Sequence, residues 1–283
     1  MTGQFHVDPH FDARLRHALH DVRAVGIDVA WMMSIASRIP AGDLEAWQAT
    51  WRAAADRVMT EGDGRLWADD LTGAARCFLR AAAYYREAGM FAQRCTEARS
   101  ALRTAGVNAF RAALPLLPVS ARIVAARARG TETDGYWFAP DTARNQPSVV
   151  VVLAGQDTSP EACYQEIVAD LLALSLPCLV VGLGPTDAVR AADRDDPEAE
   201  VAKALAAATS WLAERVGDRE RSLVGVSWPA DVVPEGWVTA AGDRRFVRWL
   251  RPADSKELVI QLGRLARPEP LTARPVPFEL HRR

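Results

Sequence analysis

The stretch Ser148-Val149-Val150-Val151-Val152-Leu153-Ala154 carries no polar side chain after its first residue. A strand with one wet face alternates polar and apolar residues. An unbroken Val/Leu run is the mark of a strand covered on both faces, as in a parallel sheet packed between helices. Two further segments read the same way, Pro177–Leu183 and Arg221–Val226. Between them lie an amphipathic segment, Pro160–Ser175, and a long Ala-rich one, Asp196–Val216, both with helical spacing. The order strand, helix, strand, helix, strand predicts an α/β core. Upstream, Arg122–Arg129 and Gly135–Ala139 flank Gly130 and read as an antiparallel hairpin. Downstream, Trp237–Ala241 and Phe246–Leu250 are shorter strand candidates, and Ser255–Leu265 is a helix. From Arg267 the chain is Pro-rich and is expected to run extended over the surface.

Before Pro118 the periodicity is helical throughout. Phe11, Leu15, Leu19 and Val22 recur at helical spacing. Asp43, after Gly42, is placed to cap a helix whose apolar stripe is Leu44, Trp47, Trp51, Ala54, Ala55 and Val58. Leu71, Ala75, Phe78, Leu79, Ala82 and Tyr85 form a second stripe, and Phe91–Leu117 holds one or two more helices, closed by Pro115 and Pro118. The chain therefore divides into a helical domain over 1–118, an α/β core over 119–266 and a tail over 267–283.

Composition narrows the function without naming it. In 283 residues, 49% are hydrophobic and 25% charged, the balance of a globular protein. The formal net charge of -2 gives no bulk attraction for nucleic acid or an anionic membrane. The N-terminal residues lack the apolar segment of a secretory leader, and no apolar run is long enough to span a bilayer, so a cytoplasmic location is expected. Cys77, Cys95, Cys163 and Cys178 show no paired spacing and are expected to be reduced thiols. Nine Trp against four Tyr is an unusual ratio, and Trp with its large apolar ring and single donor suits the lining of a pocket; Trp31 is one candidate.

The sharpest motif is Gly225-Val226-Ser227-Trp228-Pro229, directly after the third buried strand. It has the first glycine and the serine of a G-x-S-x-G nucleophile elbow, with Pro229 in place of the last glycine. Ser227 is thus a candidate nucleophile, and the N–H of Trp228 a candidate oxyanion donor; the alternative is a serine that merely ends a strand. Ala154-Gly155-Gln156-Asp157, after the first buried strand, borders the crevice where open α/β sheets bind ligands. Gly155 and Gln156 are candidates for the other half of an oxyanion hole, and Asp157 for acid–base work or a simple turn cap. Gly182-Leu183-Gly184-Pro185-Thr186-Asp187 lacks the lysine of a phosphate loop. His17 and His20 share a helix face, but no Cys or near Glu completes a set, so no metal site is expected, and no cofactor.

In their order along the chain, several motifs resemble one group of α/β-hydrolases. Ser37-Arg38-Ile39-Pro40-Ala41-Gly42-Asp43 with Trp47 and Trp51 is similar to its RI-x-x-G-D-x-x-x-W-x-x-x-W opening. Leu79–Arg86, containing Tyr84 and Tyr85, resembles its RA-x-x-YYR helix. Gly135–Pro140 resembles GY-x-F-x-P, Gly155-Gln156-Asp157 with Glu161 and Tyr164 resembles GG-x-D … E-x-x-Y, and Val224–Ser227 resembles VGVS-x-GG. The group includes proteins of the fermentation-respiration switch type and 2,6-dihydroxypseudooxynicotine hydrolase, with fungal pigment-precursor hydrolases related. The resemblance covers about Val29 to Ser227.

It implies a helical, cap-like domain on a Rossmann-like core, and C–C or ester-like bond cleavage in aryl-ketone or polyketide-like small molecules. It places the site between domain and core, with Ser, acid and His in that chain order. After Ser227 this chain offers Asp243 or Asp254 as acid and His281 as base. The core is therefore read as shortened and its triad as incomplete, since a serine without a base is a poor nucleophile. Three functions stay open. The first is a non-hydrolytic enzyme (a cyclase, isomerase or dehydratase) that positions substrate with Ser227, Asp157 and Tyr84 or Tyr85. The second is a Ser227 hydrolase, and the third a pseudoenzyme acting as a binding partner. A sheet edge near Trp237–Leu250 predicts a homodimer.

Overall fold

The computed structural model describes residues 5–21, 29–92, 96–128, 131–142, 146, 148–155, 158–183, 197–216, 222–228, 246–253 and 255–263. The helical part comprises α1 (Pro9–Asp21), α2 (Val29–Ala36), α3 (Leu44–Trp67), α4 (Leu71–Gly89) and α5 (Glu97–Ala113), closed by a 3-10 turn, Leu114–Leu116. Its starts follow local chemistry. The side chains of Asp43, Asp70 and Thr96 accept the otherwise unpaired amides of Ala46, Gly73 and Arg99 at the heads of α3, α4 and α5. Trp47 and Trp51 are fully buried between α3 and α4, and the Trp47 indole donates to the Glu87 carbonyl at 2.8 Å. The Arg14 guanidinium from α1 grips the buried Glu87 carboxylate through two nitrogens, Nε to Oε2 at 2.7 Å and Nη2 to Oε1. That fork ties α1 to α4.

Six strands follow: β1 (Ser120–Ala128), β2 (Thr131–Ala139), β3 (Ser148–Ala154), β4 (Cys178–Gly182), β5 (Ser222–Trp228) and β6 (Phe246–Leu250). They form one sheet in the order β1-β2-β4-β3-β5-β6. β1, β2 and β4 pair antiparallel in sequence, whereas β4, β3, β5 and β6 pair parallel. Every residue of β3 is buried, as its unbroken apolar run requires. The segment after β3 is not one regular helix: α6 (Pro160–Cys163) passes through a π-helical turn, Tyr164–Val168, into α7 (Ala169–Ala173). α8 (Pro197–Val216) and α9 (Ser255–Gly263) complete the chain. Among the described residues no helix is long and apolar enough to cross a membrane.

The sheet divides the interior in two. On one face Val150, Val152, Ala154, Val224 and Val226 join the helical domain, the π turn and α9 in one core. On the other, Val149, Val151, Leu153 and Leu223 pack with Val201, Ala204, Leu205, Ala208 and Leu212 of α8. Residues of opposite parity thus serve opposite layers. Of the expected segments, Trp237–Ala241 and the tail from Arg267 lie outside the described residues.

Candidate functional site

The strand ends of β3 and β5 meet where the sequence places its motifs. β5 does not turn at Ser227. It stays in the ladder through Trp228, with Leu153 opposite Ser227 and Ala154 opposite Trp228. Among the described residues only Asp69 and Ser175 are non-glycine positions with positive φ, so Ser227 lacks the left-handed twist of a strained turn. Its side chain is completely buried. Parity gives it the face of Leu153, the α8 face, while Trp228 takes the face of the helical domain.

The first glycine of the motif has a packing reason. A Cβ on Gly225 would come within 1.8 Å of the Trp249 ring, across the β5–β6 pair where the two residues are in register. The glycine lets an indole lie against the strand, a close approach unrelated to an elbow. The proposed second half of an oxyanion hole is also engaged. The Gly155 amide donates to the Trp228 carbonyl at 2.9 Å, and the Gly155 carbonyl accepts from Thr158 at 3.1 Å. Gln156, Asp157, Asp243, Asp254 and His281 lie outside the described residues.

On the helical-domain face the side chains converge differently. The Trp228 indole donates to Glu166 Oε2 at 2.5 Å, and Glu166 Oε1 stands 3.6 Å from Arg86 Nη1 of α4. The Glu166 and Arg86 side chains retain 16% and 22% exposure, so the pair is reachable from solvent. One residue earlier, Gln165 is buried and donates through Nε2 to the Leu79 carbonyl at 2.8 Å. Both polar residues belong to the π turn. Such a turn closes its hydrogen bonds one residue further along than an α-helix and commonly marks functional positions. Sequence reading treats this segment as uniformly helical and misses Glu166. The usable signal is the adjacent polar pair Gln165-Glu166, flanked by Tyr164 and Ile167 that must both be buried.

The aromatic candidates sit in the helical layer. Tyr84 is buried, stacked on Trp31 with centroids 5.1 Å apart and a 16° interplanar angle, and 5.4 Å from Trp51. The Arg80 guanidinium lies 5.8 Å from the Trp31 ring centroid. Tyr85 points elsewhere: its hydroxyl donates to Asp56 on α3 at 2.6 Å. Burial, with the Asp56 carboxylate next, drives its ionisation well above the ordinary tyrosine range, which keeps it protonated. Tyr136 donates to Glu161 at 2.5 Å, and burial with that neighbouring charge raises it likewise. The structure therefore brings Trp228 beside Glu166 and Arg86 and stacks Trp31 on Tyr84. It does not bring the Ser227 side chain to either group. Cys77, Cys163 and Cys178 are free and buried, and Cys95 lies outside the described residues. Among the described residues no group of His, Cys, Asp and Glu is arranged to hold a metal.

No protein-family model matches the chain. Over 144 residues, 49% of this chain, it is 29% identical to a protein named hydrolyase poxO of Penicillium oxalicum, covering 34% of that protein. Over 88 residues, 31% of this chain, it is 28% identical to hydrolase acrC of Aspergillus aculeatus, covering 21% of it. The chain thus spans about a third or less of the length of these curated relatives. The crystal structure of 2,6-dihydroxy-pseudo-oxynicotine hydrolase superposes on 81% of this chain and 62% of its own, with a TM-score of 0.63 at 17% identity. The fold is that of the α/β-hydrolases: a helical N-terminal region on a mixed, mostly parallel sheet.

Proposed function

From a fold of the α/β-hydrolase type, we propose an enzyme of small-molecule metabolism that works without an acyl-enzyme on Ser227, in the space between the helical domain and the strand ends of β3 and β5. The carrying observation is parity. Ser227 is buried in the ladder on the α8 face, and Trp228, hydrogen-bonded to Glu166, occupies the face that the helical domain covers. A serine attacks only when a base removes its proton and an oxyanion hole waits across the carbonyl. The Gly155 amide, one of the candidate oxyanion donors, is already bonded to the Trp228 carbonyl.

The stacked Trp31–Tyr84 pair and the Trp228 indole both pack on the helical-domain side of the sheet, and such aromatic surface suits a flat, conjugated ligand such as an aryl ketone or a polyketide-like chain. The chemistry that fits is positioning with acid–base help, as in cyclisation, isomerisation or loss of water. The name hydrolyase borne by one curated relative supports this reading, because elimination of water needs a base and an acid and no covalent intermediate.

Reaction of the purified protein with a fluorophosphonate serine probe tests it. The expected result is no labelling at Ser227, and identical traces for the wild type and Ser227→Ala. Labelling that disappears in the variant establishes an activated serine and overturns the proposal in favour of hydrolysis.

A further inference from the structure

Resting on that non-hydrolytic reading, we infer that Glu166 is the base of the site, with Arg86 as its electrophilic partner, and that the reaction begins by abstraction of a proton next to a carbonyl. The two carboxylate oxygens are not equivalent. Oε2 is fixed by the Trp228 indole at 2.5 Å, which sets the plane of the group. Oε1 accepts no hydrogen bond among the described residues, and its near neighbour is Arg86 Nη1 at 3.6 Å. One oxygen orients and the other is left to work. The guanidinium beside it is where a developing oxyanion is stabilised.

A second observation in the same turn points to a ligand. The Gln165 side chain is 4% exposed, and its Oε1 is buried with no hydrogen-bond partner. The amide cannot be flipped to relieve this, because the Leu79 carbonyl facing it only accepts, so Nε2 must be the atom that donates there. A buried acceptor without a donor costs stability. A hydroxyl of the bound molecule supplies the missing donor. The π turn thus carries, at consecutive positions in the sequence, the proposed base and a buried acceptor that lacks a donor.

Glu166 Oε1 takes the proton from the carbon adjacent to the carbonyl. The C–H electron pair becomes the carbon–carbon double bond of an enolate, and the carbonyl π pair moves to oxygen, whose charge faces Arg86. The proton then returns to a carbon of the enolate, or passes to a hydroxyl on the next carbon as that group leaves as water.

Acetophenone in D2O is a probe that needs no knowledge of the natural substrate. Its methyl protons are followed by proton NMR with the full chain. The wild type is expected to exchange them at least ~100-fold faster than buffer, the range of general-base catalysis. Glu166→Gln keeps an oxygen for the Trp228 indole and is expected to fall to the buffer rate with its melting temperature unchanged. Ser227→Ala is expected to keep the wild-type rate. If Glu166→Gln does not fold, Glu166→Asp, whose carboxylate is drawn back by one methylene, must slow exchange at least ~10-fold. Wild-type exchange no faster than buffer, or undiminished exchange in the Glu166 variants, overturns the assignment. Fluorophosphonate labelling of Ser227 instead overturns the non-hydrolytic reading, whatever the exchange experiment returns.

Discussion

The two faces of the sheet differ in kind. The α8 face is filled mainly by Val149, Val151, Leu153, Leu223 and the small or branched residues of α8, with Trp137, Trp211 and Trp249 at its margins and the Ser227 side chain inside it. The opposite face holds the aromatic rings of the helical domain. Polar groups cross it from one layer to the other: Trp228 to Glu166, Glu166 to Arg86, Gln165 to the Leu79 carbonyl. Desolvating such groups is costly unless each finds a partner. A layer that needs only cohesion uses hydrocarbon, and one that must receive a ligand keeps polar groups in fixed positions. On the function proposed above, stability belongs to the α8 face and chemistry to the helical-domain face.

Substitutions on the two faces are expected to separate accordingly. The largest effect belongs to Leu153→Ala. It empties a fully buried site in the apolar layer and is expected to cost about 3 kcal/mol by denaturant titration, within the usual range for buried leucine. A cost below about 1 kcal/mol would mean that this layer is loosely packed and the contrast false. Gly225→Ala drives a methyl group into the Trp249 ring, and displacing an indole against a ladder is expected to cost about 2 kcal/mol. The double variant Gly225→Ala with Trp249→Leu should recover part of it. A variant as stable as the wild type would return Gly225 to the turn reading.

On the other face, Trp228→Phe keeps an aromatic ring and deletes the donor to a partly exposed carboxylate. We expect about 1.5 kcal/mol, at the low end for hydrogen bonds to charged groups because solvent screens the site. The sharper signature is functional: with Oε2 released, acetophenone exchange should fall while the fold survives. An unchanged exchange rate would detach Trp228 from the orientation of Glu166.

The sheet itself was legible because parallel strands leave an unbroken apolar run, and β3 and β4 have one. The helix start at Asp43 was legible for a similarly local reason, since a carboxylate before an apolar stripe satisfies free amides. The site was less so. Gly-x-Ser after a buried strand is written identically whether the chain turns at the serine or continues the ladder. The deciding contact, Trp249 over Gly225, comes from β6, far along the chain. Glu166 was missed because a π turn has no spacing rule of its own, and its partners Trp228 and Arg86 are remote in sequence.

The smallest effect separates the two readings of Ser227 most cleanly. A nucleophile held in a strained, solvent-facing position is a liability to the fold, and removing it usually leaves stability unchanged or raised. Ser227 here is an extended ladder residue with its side chain wholly inside the α8 layer. Its hydroxyl must be satisfied there, so Ser227→Ala removes a buried hydrogen bond and is expected to lower stability by about 1 kcal/mol. The sign is the test. A destabilised variant whose acetophenone exchange is intact makes the serine part of the packed layer. A stabilised variant that also loses a fluorophosphonate adduct makes it the nucleophile, and then the strand end must turn in solution so that Ser227 leaves the face of Leu153.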